Sequence, residues 1–160
     1  MDRLLSCGGD SVVYVHHFDS EKQQKLVIDG KSSFSTIATF DQFICAGDDS
    51  GNVYLYHSEE GVDDLKLVDS NTESHAKYIT VIAFSESFLV SCSNSGSVVV
   101  SKGRESLDPY RKLGGHTERV NDVAFCPSDE TLIVTASMDG TCQIWSIESG
   151  CALANYDGHS

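Results

Sequence analysis

Repeated four-stranded β units, with almost no helix, are what this sequence predicts, and three observations carry that expectation. Residues 10–16, 50–56, 95–101 and 139–145 share one pattern, a tight polar turn running into a strand such as Val53-Tyr54-Leu55-Tyr56 or Val98-Val99-Val100. Their turn positions Ser11, Gly51, Gly96 and Gly140 lie 40, 45 and 44 residues apart. Helical periodicity is nearly absent, and the apolar runs alternate with a period of two, as half-buried strands do. A period of about 40 to 45 residues built of short strands is the sequence form of a propeller blade.

Taken in chain order, the first unit opens at residues 4–7, which read as a second strand with nothing before it, and passes through Asp10-Ser11 into a third. In the second unit, residues 34–40 and 42–46 are two strands, and Ser50-Gly51 turns into a third that ends on Tyr56. The third unit starts at Ser74-His75, with strands at 79–84 and 88–93 and a further strand after Gly96 that carries Ser101 where other units have an aromatic ring. The fourth is the clearest. Gly115-His116-Thr117 leads to a strand at 120–125, a turn at 126–130, a second strand at 132–137, Asp139-Gly140, a third at 141–147 and a fourth at 151–155. Gly158-His159 then repeats the Gly-His pair.

A Gly-His pair, a hydrophobic strand, Asp-Gly and a Trp six residues after the Asp resemble the WD repeat. The resemblance implies an all-β WD-repeat β-propeller, incomplete, with about three and a half four-stranded blades over residues 1–160, repeats ending near 17, 57, 101 and 146, and a new repeat at 158. In such propellers the last strand of one repeat completes the next blade, so 151–155 is expected to be the outer strand of a blade whose remainder is absent. A ring of seven blades does not close from this length, and a piece of a longer protein is the expected origin. Unpaired strand edges would make the isolated chain poorly soluble or oligomeric.

Net charge is −13. Such a chain has no general attraction to phosphate backbones, so nucleic-acid binding would require a local basic and aromatic site. Basic residues do gather in one region, at Lys102, Arg104, Arg111, Lys112 and Arg119. Of the six cysteines none forms a Cys-x-x-Cys pair, and Cys7, Cys45 and Cys92 fall on second strands, where small thiols are expected to fill core positions rather than hold metal. No stretch reaches 18 consecutive apolar residues, the N-terminus lacks a secretory apolar core, and no Asn-x-Ser/Thr acceptor occurs. No membrane association is expected. The expected location is cytoplasmic, and nuclear in addition.

Six histidines invite a catalytic or metal reading, but His75, His116 and His159 recur where units begin, and His16 and His57 near the ends of third strands. The WD resemblance implies instead a structural hydrogen-bonded network of His116, Asp139, Thr135 or Ser137, and Trp145. No Gly-x-Ser-x-Gly elbow or phosphate loop is present, and Asp48-Asp49 and Asp63-Asp64 read as solvated turns. The expectation is a non-enzymatic module without catalytic residues, metal or cofactor. Binding then falls to the rims, where Arg119 and Met138 flank the pattern of the fourth unit; a cation pairs with phosphate, and a polarizable side chain packs on a base.

Residues 108–117, followed by Val120, Val123-Ala124-Phe125, Pro127 and 134–140, are similar to the late blades of the second propeller in the Gemin WD-repeat subunit of the SMN complex. Residues 5–9 and 91–94 fit earlier blades in the same order. This resemblance implies binding of small nuclear RNA by tandem propellers, with SMN-complex proteins as partners in snRNP assembly. It assigns Arg119 to a basic position of the RNA cleft and Met138 to one where the family has an aromatic ring. The remaining contacts of the family lie in a first propeller that these residues do not include, so RNA binding belongs to the complete protein. The alternative is a general WD scaffold that binds protein partners on its rim.

Overall fold

A computed structural model of the chain describes residues 3–17, 23–27, 32–58, 65–103 and 105–158. Within them lie fifteen strands in four antiparallel sheets, and no helix. The first sheet holds β1 (Arg3–Cys7), β2 (Val12–His17) and β3 (Gln23–Val27). β4 (Phe34–Phe40), β5 (Phe43–Asp48), β6 (Val53–Ser58) and β7 (Leu65–Asn71) make the second. The third has β8 (Ile79–Phe84), β9 (Phe88–Ser93), β10 (Val98–Lys102) and β11 (Pro109–Leu113). β12 (Val120–Cys126), β13 (Asp129–Ser137), β14 (Thr141–Ser146) and β15 (Cys151–Asp157) form the fourth. Each sheet is an up-and-down meander in chain order, so each is one blade, and the inner strands β4, β8 and β12 lie side by side.

Two faces of each sheet are covered in the middle of the array, which is why its strands are apolar on both sides. β9 is buried along its whole length. Between the third and fourth blades, Val90, Cys92, Val98 and Val100 pack against Val120, Val123, Ile133 and Trp145. Cys45, Val53 and Leu55 meet Ile79, Ile82 and Leu89 between the second and third. Val13 meets Phe34 and Ala46 between the first and second. The packing is tight enough that a Cβ at Gly47 would lie 2.6 Å from Ile79 Cβ. Gly96 adopts a φ of 83° in the β9–β10 turn, and a Cβ there would stand 2.5 Å from the His116 carbonyl oxygen. Polar clips tie the blades outside the core: Ser87 donates both its N–H and its hydroxyl to Glu130, and the Leu107 N–H donates to Asp69 at 2.7 Å.

The strands at 79–84 and 88–93 lie where the sequence places them, and third strands end at His17, Ser58, Lys102 and Ser146. One expectation is overturned. The segment 151–155 does not belong to a blade beyond the fourth, because β15 pairs with β14, from Thr141↔Asp157 to Ser146↔Cys151, and completes the fourth sheet. The connection is a tight hairpin in which Gly150, at a φ of 71°, donates its N–H to the Ser146 carbonyl at 2.9 Å, and so short a link joins adjacent antiparallel strands. The outer strands β3, β7 and β11 have no counterpart in the sequence reading. Cys45 and Cys92 are buried, Cys7 is half-buried, and all six cysteines are free thiols. His159, Asp63, Asp64 and Arg104 lie outside the described residues. Among the described residues no helix is long and apolar enough to cross a membrane.

The far face of the fourth blade carries Val134, Ala136, Cys142 and Ile144 at the positions that Val90, Cys92, Val98 and Val100 occupy in the third. Val134 is 41% exposed whereas Val90 is fully buried. An uncovered sheet face of this kind drives association. The 160-residue chain is expected to self-associate with rising concentration by light scattering, and the double substitution Val134→Lys, Ile144→Lys to lower that mass. A concentration-independent monomer would contradict this.

Candidate functional site

One rim of the array is built by the turns between second and third strands. Asp49, Asn94 and Met138 donate their N–H groups to the carbonyls of Ser33, Tyr78 and Arg119 at 2.9, 3.0 and 2.8 Å. Ser33, Tyr78 and Arg119 each directly precede the inner strand of their own blade. The backbone is therefore the same in three blades, and the side chains at these six positions are free to differ.

Behind this rim the fourth blade holds a network centred on Thr135. His116 Nδ1 lies 2.9 Å from Asp139 Oδ2, and its Nε2 lies 2.7 Å from Thr135 Oγ1. Trp145 donates its indole N–H to the same Thr135 hydroxyl at 2.8 Å, with the two rings edge to face. Ser137 takes no part in the ring contacts. It sits two residues further along the strand, about 7 Å away, where its hydroxyl donates to the Glu118 carbonyl at 3.2 Å and accepts the Asp139 N–H at 3.2 Å. Asp139 also accepts from the Thr117 N–H, the Thr141 N–H and the Thr141 hydroxyl. Burial pushes the Asp139 carboxyl up, but donors from Thr141 and His116 outweigh it and hold the group well below the ordinary carboxylate range.

The same positions degrade in the other blades. In the third, Ser91 replaces Thr135, Ser101 replaces Trp145, and His75 bonds Ser97 at 2.5 Å through Nδ1 and Ser91 at 2.8 Å through Nε2. Burial and then the Lys112 charge push the His75 ring down to about 4, so it is neutral at pH 7. In the second blade, Asp48 is not a solvated turn residue. It is buried and accepts from the Ser50 N–H, the Asn52 N–H, the Asn52 amide and the Tyr54 hydroxyl. The sequence could not show this, because Asp48 and Asp49 are alike in composition and differ only in which side of the turn each faces.

On the rim itself, Arg119 and Met138 are backbone neighbours. The Arg119 guanidinium lies over the Tyr78 ring, 5.6 Å from its centroid, and its Nε is enclosed without a hydrogen-bond partner. Met138 is 60% exposed. Tyr78 was missed by sequence reasoning, although its place directly before an inner strand, the place that Arg119 holds one blade later, was a signal for it. A cation stacked on an aromatic ring beside an exposed thioether can accept a flat or anionic ligand. Among the described residues, no group of three or more His, Cys, Asp or Glu side chains is arranged to hold a metal ion.

Residues 107–146 match the WD domain, G-beta repeat. The chain is 28% identical over 117 residues to Nuclear distribution protein PAC1 of Candida tropicalis, which covers 71% of this chain and 23% of that protein. It is 26% identical over 178 residues to Gem-associated protein 5 of Homo sapiens, covering 89% of this chain and 11% of that protein. Denticleless protein homolog of Gallus gallus is 41% identical over 63 residues, 39% of this chain and 9% of that one. The chain thus spans about a quarter or less of the length of these relatives. In fold it is similar, with a TM-score of 0.84, to the computationally designed Ika8 protein at 23% identity, covering 99% of this chain and 47% of that one. A chain of the Mitotic Checkpoint Complex gives the same TM-score and coverage at 20% identity. The fold is that of β-propeller blades, three four-stranded and one three-stranded among the described residues.

Two outcomes follow from the buried polar groups. Thr135→Val leaves the His116 ring and the Trp145 N–H without their shared partner, and the expected cost is roughly 2 to 4 kcal/mol in urea unfolding; a loss too small to measure would contradict the network. His75 is neutral in the fold and protonated in the unfolded chain between about pH 6.5 and about 4, so the unfolded state binds more protons there. Its contribution is whole above pH 6.5 and is lost as the pH falls toward 4, on the order of 3 kcal/mol. His75→Gln should flatten the pH dependence of unfolding across that window.

Proposed function

We propose that this chain is part of a non-enzymatic, RNA-binding WD-repeat propeller that acts in the cytoplasm, in spliceosomal snRNP assembly with the SMN complex. The observation that carries the reading is the rim cluster of Arg119, Tyr78 and Met138, in which the guanidinium lies over the Tyr78 ring and an exposed methionine is hydrogen-bonded to the Arg119 backbone. An arginine so placed offers a phosphate its charge and a base its plane, and Met138 offers a polarizable surface. Similarity to Gem-associated protein 5 along 89% of the chain supports the same reading. In the complete protein this rim would be one wall of the RNA cleft, and small nuclear RNA the ligand.

A second reading, a scaffold that binds protein partners on its rim, is favoured by similarity of the same order to PAC1 and to a Denticleless homolog. The net charge of −13 also favours it, since nothing but the local cluster would hold RNA.

The two readings separate on one titration. With a uridine-rich single-stranded RNA followed by fluorescence anisotropy at several salt concentrations, the RNA reading expects binding that weakens with salt. Arg119→Glu should weaken it about tenfold or more, and Tyr78→Ala to a lesser degree. Unchanged affinity in Arg119→Glu sinks the RNA role of this rim and leaves the scaffold.

A further inference from the structure

The turns that carry Ser11, Gly51, Gly96 and Gly140 share one backbone donor, the N–H of the residue that follows, and one of them lacks the carboxylate that covers it in the others. Asp10 Oδ1 accepts the Val12 N–H at 3.3 Å in the first blade. Asp48 Oδ1 accepts the Asn52 N–H at 2.8 Å in the second, and Asp139 Oδ1 the Thr141 N–H at 2.9 Å in the fourth. A carboxylate thus lies over the same backbone donor in three blades. The third turn reads Ser93-Asn94-Ser95-Gly96-Ser97: Ser95 stands where Asp139 stands, as Ser50 does in the second turn, but Ser93 stands where Asp48 gives the second turn its carboxylate. Hydroxyls fill the gap in a row, Ser93 to Ser95 at 2.8 Å, Ser95 to Ser97 at 3.0 Å, and Ser97 to His75 Nδ1 at 2.5 Å.

Beside this turn a cleft of about 330 Å³ opens, lined among others by Ser74, Ser95, Ser97, Val99, Lys112 and Gly114. Lys112 is exposed, and its charge is felt at the His75 ring. In a chain of net charge −13, a lysine therefore faces the one described turn of the four from which the carboxylate is missing. Because either oxygen of each hydroxyl pair can be the donor, the row can be reoriented without moving a heavy atom so that one proton, that of Ser95 or of Ser97, turns toward the cleft.

We propose that this cleft binds a phosphate group, with the oxyanion at the Ser97 N–H, the donor that a carboxylate covers in the other three turns. Ser95 or Ser97 donates to its oxygens and Lys112 supplies the countercharge, a combination suited to a dianionic phosphate. The cleft is larger than one phosphate fills, and buried Val99 and Leu113 at its wall leave apolar room for the group that carries it. The chemistry is that of a phosphate monoester such as phosphoserine, or of free phosphate. It is independent of the RNA reading, because none of the residues invoked belongs to the Arg119 cluster.

The test is an amide-resolved NMR titration of the 160-residue chain with inorganic phosphate in one arm and O-phosphoserine in the other, at constant ionic strength. Saturable shifts centred on Ser95, Gly96, Ser97 and Gly114 are expected. Ser95→Asp puts the chain's own carboxylate in the site, so it should abolish those shifts and raise the melting temperature. Lys112→Gln, a change on the surface, should weaken binding about tenfold. Tighter binding of O-phosphoserine assigns the site to a carried phosphate, and equal binding to the free anion. No saturable shift, or shifts that survive both substitutions, would overturn the proposal, and Lys112→Gln keeps the test decisive if Ser95→Asp does not fold.

Discussion

Each blade is held by the face of the next, and everything else in the molecule depends on that contact. A single four-stranded meander has two faces, and in this chain both are apolar in the middle blades. Such a sheet cannot stand alone in water. Burial of Val90, Cys92, Val98 and Val100 against Val120, Val123, Ile133 and Trp145 fixes the distance between the third and fourth sheets, and so fixes where the rim turns come to lie. Gly47 and Gly96 show how close that approach is, since neither position has space for a β-carbon. The rim is precise because the core beneath it is full.

Polar structure is layered on this packing. Thr135 accepts from Trp145 and bonds His116, while Asp139 gathers His116, Thr117 and Thr141, so that a buried ring, an indole and a turn are satisfied by two side chains. The other blades keep the backbone and change the chemistry. The second moves its carboxylate to Asp48, and the third gives it up for hydroxyls and a neutral His75. The fold tolerates this because apolar burial, which those blades retain, carries more of the stability than any one network. Electrostatic differences between turns that share a backbone then become available for binding.

Binding potential accordingly lies where side chains are not needed by the repeat. Ser33, Tyr78 and Arg119 occupy one backbone position, as do Asp49, Asn94 and Met138, and the hydrogen bond between each pair involves only main-chain atoms. Side chains there are released from structural duty, so the scaffold can present a cation over a ring in one place and a small amide in another. The fold alone says little about the ligand; the chemistry of these positions does.

The period and the inner strands could be read from the residues, because turn chemistry and two-residue alternation act within a few positions of the chain, whereas the His116 network was implied only by the resemblance to WD repeats. The strands at 79–84 and 88–93 are examples, each apolar and bounded by polar turns. Most outer strands were not legible: β7 is largely exposed, and its pairing to β6 is what makes it a strand. Even the segment 151–155, read correctly as a strand, was given to the wrong blade. What the residues by themselves determined is therefore the repeat and its buried faces. What the tertiary structure alone decided is which blade β15 closes, that Asp48 turns inward, and that Arg119 lies over Tyr78, because each depends on how distant segments are brought together once the sheets have packed.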